Sequence, residues 1–207
     1  MTRLVPMIFC IATLIGCDRQ SDEPVHEWLQ RDNADIAAGN AALDAGDTEG
    51  ALAAYDRAAA SLPSQPGVHL DRGIALLSDG QYATARESLL RATDTPAGSD
   101  GLHSVEYFQN VKAAAYYNLG LSFYLEGDAT AQGGATPETP GDPEAAQRLF
   151  RESITALTRS LQIKPGNRDA AWNLELARRR LREQEEEQER QEQENQEEEQ
   201  EDQGAER

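Results

Sequence analysis

Cysteine is almost absent from this chain: the 207 residues hold two, Cys10 and Cys17, both within the first 17 positions. No disulfide framework can therefore staple the rest. The three histidines, His26, His69 and His103, are far apart and have no Cys or His neighbour at ligand spacing, so no metal site is expected. Nucleophile-elbow, phosphate-loop and H-E-x-x-H patterns are also missing, which leaves no catalytic residue to name and no cofactor or small-molecule substrate to expect. Basic residues are few, with 19 Lys and Arg against 37 Asp and Glu, for a formal charge of −18. That balance excludes the basic footprint of a nucleic-acid binder and argues against polybasic docking on anionic lipid. Finally, Arg182 to Gln203 contains no aliphatic or aromatic residue, so residues 183–207 form a Glu/Gln-rich tail that cannot build a core.

What is present begins with a short apolar run. Ile8 to Ile15, broken only by Cys10 and Thr13, follows a single basic residue, Arg3. It suits a secretory signal and is too short to span a bilayer. The run ends in Leu14-Ile15-Gly16-Cys17, which resembles the lipobox of bacterial lipoproteins. The resemblance implies that residues 1–16 are removed and that Cys17 is acylated, with residues 17–27 as a tether. Several acyl chains anchor stably where one would be marginal. An ordinary signal peptide or a buried N-terminal helix are the other readings of the same segment. Asp18 resembles an inner-membrane retention signal, with the outer membrane as the alternative. The expected location is periplasmic and lipid-anchored.

The body of the chain repeats. Gly39 and Gly73, Gly46 and Gly80, Ala51 and Ala85, and Ala58 and Ala92 are each 34 residues apart. Each block reads as helix, Gly turn, helix, with a small residue where the helices cross, and this period and pattern resemble the tetratricopeptide repeat. Residues 32–65 place Gly39, Ala51, Tyr55 and Ala58 on signature positions, and Pro63 stops the second helix. Residues 66–99 keep Gly73, Leu76, Ala85, Leu89 and Ala92 in register, with Arg72 and Ala97 as departures. After an interruption at Thr95 to Gly101 a third repeat is expected over 113–167, with Tyr116, Leu119, Gly120 and Phe123 in its first helix. Gly127 falls at its turn, and Ser153, Leu157 and Ser160 occupy its second helix. About 21 residues are inserted there, and 128–143 (DATAQGGATPETPGDP) reads as a disordered loop, either partner-contacting or simply tolerated. A cap helix follows over 168–182. Trp28 and Leu29 are candidates to cover the other end. The predicted fold is all-α: a tetratricopeptide-repeat helical solenoid of about three repeats plus a capping helix, within residues 28–182.

Arg179 and Arg182 face Glu183 and Glu186 at i, i+4 spacing, which supports continuation of the cap helix. The tail is accordingly expected either to extend this helix and fray toward Gly204 or to be disordered.

In repeats that this chain resembles, stacked first helices line a concave groove. The inward positions are Asn40, Leu43, Asp71, Ile74, Tyr117, Asn118, Leu121, Tyr124, Trp172, Asn173 and Leu176. Asn can pair with an extended peptide's backbone amide, and Tyr or Trp supplies contact area at low entropy cost. Each is equally readable as a contact between repeats.

Over residues 113–200, a Tyr-Asn-Leu-Gly helix from Tyr117, a Pro165-Gly166-Asn167 stop, an Asn173-Leu174-Glu175-Leu176 cap and a Gln-rich run occur in that order. This combination resembles the tetratricopeptide component of Bacteroides aerotolerance (Bat) systems. The resemblance implies a periplasmic partner of membrane-anchored von Willebrand A domain proteins, linked to a MoxR-type ATPase and to envelope stress tolerance. A second reading is an envelope-biogenesis lipoprotein that assists assembly of outer-membrane, pilus or peptidoglycan machinery.

Overall fold

A computed structural model describes residues 33–96, 104–133 and 141–205, with side chains up to residue 197. Cys17, the signal and tether segments, Trp28 and Leu29 lie outside the described residues. Every regular element among the described residues is a helix: α1 Ala34–Asp44, α2 Thr48–Ser61, α3 Pro66–Ser78, α4 Tyr82–Asp94, α5 Val105–Gln132, α6 Pro143–Ile163 and α7 Arg168–Ala205.

Local chemistry sets these boundaries. Asn33 accepts the amides of Asp35 and Ile36 at 3.0 and 3.1 Å and starts α1, while Asp47, Ser104 and Asp142 do the same for α2, α5 and α6. Pro66 occupies the first turn of α3, where its missing N–H costs nothing. Gly46 and Gly80 turn the chain between paired helices at φ 77° and 73°, a region open to glycine.

Consecutive helices pack as antiparallel pairs, α1 with α2, α3 with α4 and α5 with α6, and each pair packs on the next. Small residues fix the crossing within each pair. A Cβ on Gly39 would stand 2.5 Å from the Tyr55 ring, one on Gly73 would stand 2.6 Å from Leu89, and one on Gly120 would overlap Leu157. Ser153 and Ser160, on the small positions of α6, are fully buried, and each donates its hydroxyl at 2.8 Å to a carbonyl of α5, Gly120 and Ala113 respectively. Their polarity is thereby satisfied inside the hairpin. The result is the predicted helical solenoid, three hairpins closed by α7.

The third hairpin departs from expectation in three ways. First, α5 starts at Val105 and not near Ala113, because Phe108 and Val111 bury two additional turns. Second, Gly127 is not a turn but lies within α5, where it meets Phe150. Gly127 follows Gly120 by seven residues and Phe150 precedes Leu157 by seven, so the glycine-against-large pairing is repeated two helical turns further out. Third, residues 128–132, expected in a loop, continue α5. The insertion thus lengthens both helices, and its remainder is short. The amides of Gly133 and Asp142 both donate to the carbonyl of Thr130, at 3.3 and 3.1 Å, which pinches the two ends of the connection together. Residues 134–140 lie outside the described residues.

For the tail, the helical alternative holds: α7 runs unbroken from Arg168 to Ala205.

Candidate functional site

The first helices of the hairpins neighbour one another, α3 with α5 and α5 with α7, whereas the second helices α2, α4 and α6 do not pack closely together. The first helices α3, α5 and α7 therefore share one face, and the candidate residues of α3, α5 and α7 lie on these helices, with Asn40 and Leu43 on α1.

At the N-terminal end the candidates are half-buried. Asn40 accepts the Tyr55 hydroxyl at 2.7 Å, so its amide oxygen holds the first hairpin. Leu43 packs beside Ala51, Tyr55 and Ala75, and Ile74 lies against the main core. Asp71 is half-buried on α3.

At the C-terminal end four candidates are buried between helices: Tyr117, Asn118, Leu121 and Asn173. Asn118 donates to the carbonyl of Ala114 one turn back at 2.9 Å, and Asn173 donates to the Tyr117 hydroxyl at 3.1 Å. The Asn118 amide is thus satisfied within α5, and the Asn173 amide joins α7 to α5. Tyr117 and Leu121 share a cluster with Leu157, Ala170, Leu174 and Ala177. Tyr124 is half-buried against the Phe150 ring, with centroids 5.8 Å apart. Burial first, and the Asp128 carboxylate second, raise its pKa above the ordinary tyrosine value. Burial alone would lower the pKa of nearby Arg180, but hydrogen bonds to Asp128 and Glu183 outweigh it and hold the pKa above its usual value.

Leu176 is half-buried, and Trp172 stands out. It occupies the place in α7 that Ile36, Leu70 and Tyr117 occupy in the earlier first helices, three residues before Gly39, Gly73 and Gly120. Those three are 5%, 8% and 6% exposed, whereas Trp172 is 66% exposed. The cause is position. α5 brings Tyr107 against the core around Leu70, and α7 brings Asn173 onto Tyr117, but among the described residues no element covers Trp172.

A neighbouring face of the same helix is closed to further repeats. Counting from Pro165 as from Pro63, Glu175 stands at the place of Gly73 and Arg178 at that of Leu76. These two form an exposed ion pair at 2.6 Å, so no second helix can pack there without desolvating charge. The cap seals its own hairpin side and leaves its inner side open.

Two exposed apolar residues were not among the sequence candidates, Leu90 on α4 and Val105 at the start of α5. Val105 belongs to the turns that a 34-residue period does not reveal. An open cleft of about 630 Å³ lies between the ends of α2 and α4, lined by Ala59, Pro63, His69, Arg91 and Asp94 among others. His69 Nε2 is hydrogen-bonded to the Pro63 carbonyl, 2.9 Å away. Among the described residues no group of three or more His, Cys, Asp or Glu is placed to hold a metal, and no helix is long and apolar enough to cross a membrane.

Residues 36–100 match the family described as Tetratricopeptide repeat. No curated protein sequence matches the chain. Among solved structures it is similar to the first TPR domain of the human RPAP3 protein, determined by NMR, at 17% identity and a TM-score of 0.51, covering 72% of this chain and 90% of that one. Repeats of this kind are typically non-enzymatic scaffolds for protein partners. The chain carries tetratricopeptide repeats over the matched residues, and its fold is a tetratricopeptide-repeat solenoid.

Proposed function

We propose that this protein is a membrane-anchored periplasmic scaffold that binds partners through its first-helix face, within a Bat-like envelope stress complex of von Willebrand A domain membrane proteins and a MoxR-type ATPase. One observation carries the binding part: an apolar position that every earlier repeat buries is left open at Trp172. Leu176 on the same helix is half-buried beside it, and Asn40, Leu43, Asp71 and Ile74, half-buried on the first helices at the other end, are the further candidates. Tyr117, Asn118, Leu121 and Asn173 act beneath it as support. A Trp set against a preformed wall is the residue type that dominates interface energies. The anchoring part rests on the lipobox-like Leu14 to Cys17, with Asp18 favouring the inner membrane. The partner class rests on the resemblance over residues 113–200.

The test is mass spectrometry of proteins that co-purify with the native protein from gently solubilised membranes, set beside a Trp172→Ala variant. Von Willebrand A proteins should be recovered with the wild type and lost with the variant, while circular dichroism stays unchanged. Equal recovery with both would remove Trp172 from the interface. Recovery of outer-membrane, pilus or peptidoglycan assembly proteins instead would favour the envelope-biogenesis reading. The same spectra report whether Cys17 carries acyl mass.

A further inference from the structure

The tail is not independent of the insertion. Leu181 is the last apolar residue before a purely polar stretch, yet Gln184, Glu185, Glu187 and Gln188 remain half-buried, and an unbroken exposed run begins only at Glu189 and holds through residue 197. Gln184, Glu185 and Gln188 meet α6 of the third hairpin, whereas Glu187 bonds Arg190 and Gln191 of its own helix. Gln147 of α6 is 6% exposed and donates its amide to Gln188 Oε1 at 2.7 Å and to the Gln184 carbonyl at 3.4 Å, while its own oxygen accepts from Arg151 at 3.2 Å. Arg151 also reaches Glu185 at 2.7 Å. On the other helix of the hairpin, Asp128 accepts Arg180 Nε at 2.8 Å, and Arg180 Nη1 bonds Glu183 at 3.0 Å. Asp128 and Gln147 lie in the two-turn extension absent from the first two hairpins, and Arg151 lies one turn further along α6.

We infer that the insertion in the third repeat is the seat of a polar strap, by which α5 and α6 grip residues 180–188 and fix the direction in which the acidic helix leaves the solenoid. An isolated helix without tertiary packing is marginal in water, so the seat also keeps the root of the tail helical. Residues 182–188 carry no apolar side chain, so their part of the grip consists of hydrogen bonds and ion pairs, which salt weakens. The strap is therefore releasable by ionic strength or by competing charge, whereas the capping contacts of Ala170, Leu174 and Ala177 are apolar and are not.

Hydrogen–deuterium exchange on the full-length protein tests this. In a Gln147→Ala, Arg151→Ala double variant, amides of 183–190 should exchange about tenfold faster while those of 168–177 keep their protection. Raising the salt on the wild type should act in the same direction. Arg148→Ala, on the same helix but bonded only toward Glu144 among the described residues, should change neither segment. Arg151→Glu should loosen 183–190, and adding Glu185→Arg should restore it. Unchanged exchange in the double variant, an equal effect from Arg148→Ala, or no restoration by the charge swap would overturn the strap.

Discussion

Gly73 offers a sharp test of how the hairpins are held. A Cβ there would lie 2.6 Å from Leu89 Cγ and 2.7 Å from Cδ2, against about 3.5–4.0 Å for a comfortable carbon contact. Leu89 is fully buried and has no open side to move toward. Overpacking of this kind costs about 1–3 kcal/mol. The replacement also gains about 1 kcal/mol, because Ala is the better helix former. Gly73→Ala should thus destabilise by about 0–2 kcal/mol, a weak readout alone. The interaction with Leu89 is stronger evidence. Leu89→Ala should cost about 2–5 kcal/mol through lost burial and a cavity. In that background the clashing atoms are gone and the next neighbour of the new Cβ is the Ala85 carbonyl at 3.4 Å. Gly73→Ala should then stabilise by about 1 kcal/mol, which makes the coupling about 1–3 kcal/mol. Gly46→Ala is the control. It has no neighbour within 4 Å but a φ of 77°, so its cost of about 1–2 kcal/mol is backbone strain and should not respond to Leu89. Urea denaturation followed by circular dichroism measures the three single variants and the two doubles that pair Leu89→Ala with Gly73→Ala and with Gly46→Ala. A coupling below about 0.5 kcal/mol would refute close approach as the reason for glycine at this crossing.

Two further outcomes follow from the site. Tyr117→Phe removes the acceptor of the buried Asn173 amide and should cost about 1–2 kcal/mol by urea denaturation, an unsatisfied-donor penalty, although the lost group is one hydroxyl. Tyr124 should be a late-titrating member of the six tyrosines when the phenolate absorbance is followed. As pH rises, unfolded chains lose this proton first, so stability should fall between the ordinary tyrosine pKa and the raised one. Tyr124→Phe should abolish that part of the alkaline loss; an unchanged profile would mean that Tyr124 titrates normally.

The first two hairpins were legible because their determinants are local. Gly39 against Tyr55, Gly73 against Leu89 and the Gly46 and Gly80 turns recur at one spacing, the Pro63 stop closes the first of them, and each has one steric meaning. The third hairpin was only half legible. Gly127 has the spacing of a turn glycine when counted forward from Gly120, but a glycine seven residues along a helix occupies the same face, and close packing on Phe150 is its alternative use. Only the partner decides between them, and Phe150 is 23 residues away across an insertion of Thr, Pro and Gly. The extra turns at 105–112 were missed for a related reason. Phe108 and Val111 follow the helical period, not the 34-residue one, and a reading anchored on Gly120 looks past them.

For the candidate site, residue type misled and position informs. Asn118 and Asn173 were placed in the groove because an amide can hold a peptide backbone, and the fold uses those same amides on Ala114 and Tyr117. Composition likewise barred the tail from any core, correctly for apolar burial, yet Gln184 and Gln188 are half-covered because Gln147 can satisfy them. In both cases a polar side chain meets the interior of the protein before it meets a partner. Trp172 shows the reverse. Its equivalents Ile36, Leu70 and Tyr117 are core residues, and nothing in the side chain itself distinguishes the fourth member. What distinguishes it is its surroundings: among the described residues no element covers it, Glu175 and Arg178 oppose another second helix, and Arg182 to Gln203 holds nothing apolar with which to build one. An aromatic at a position that the preceding repeats bury, on the last described helix, is therefore the part of the inner face with the most to gain from a partner.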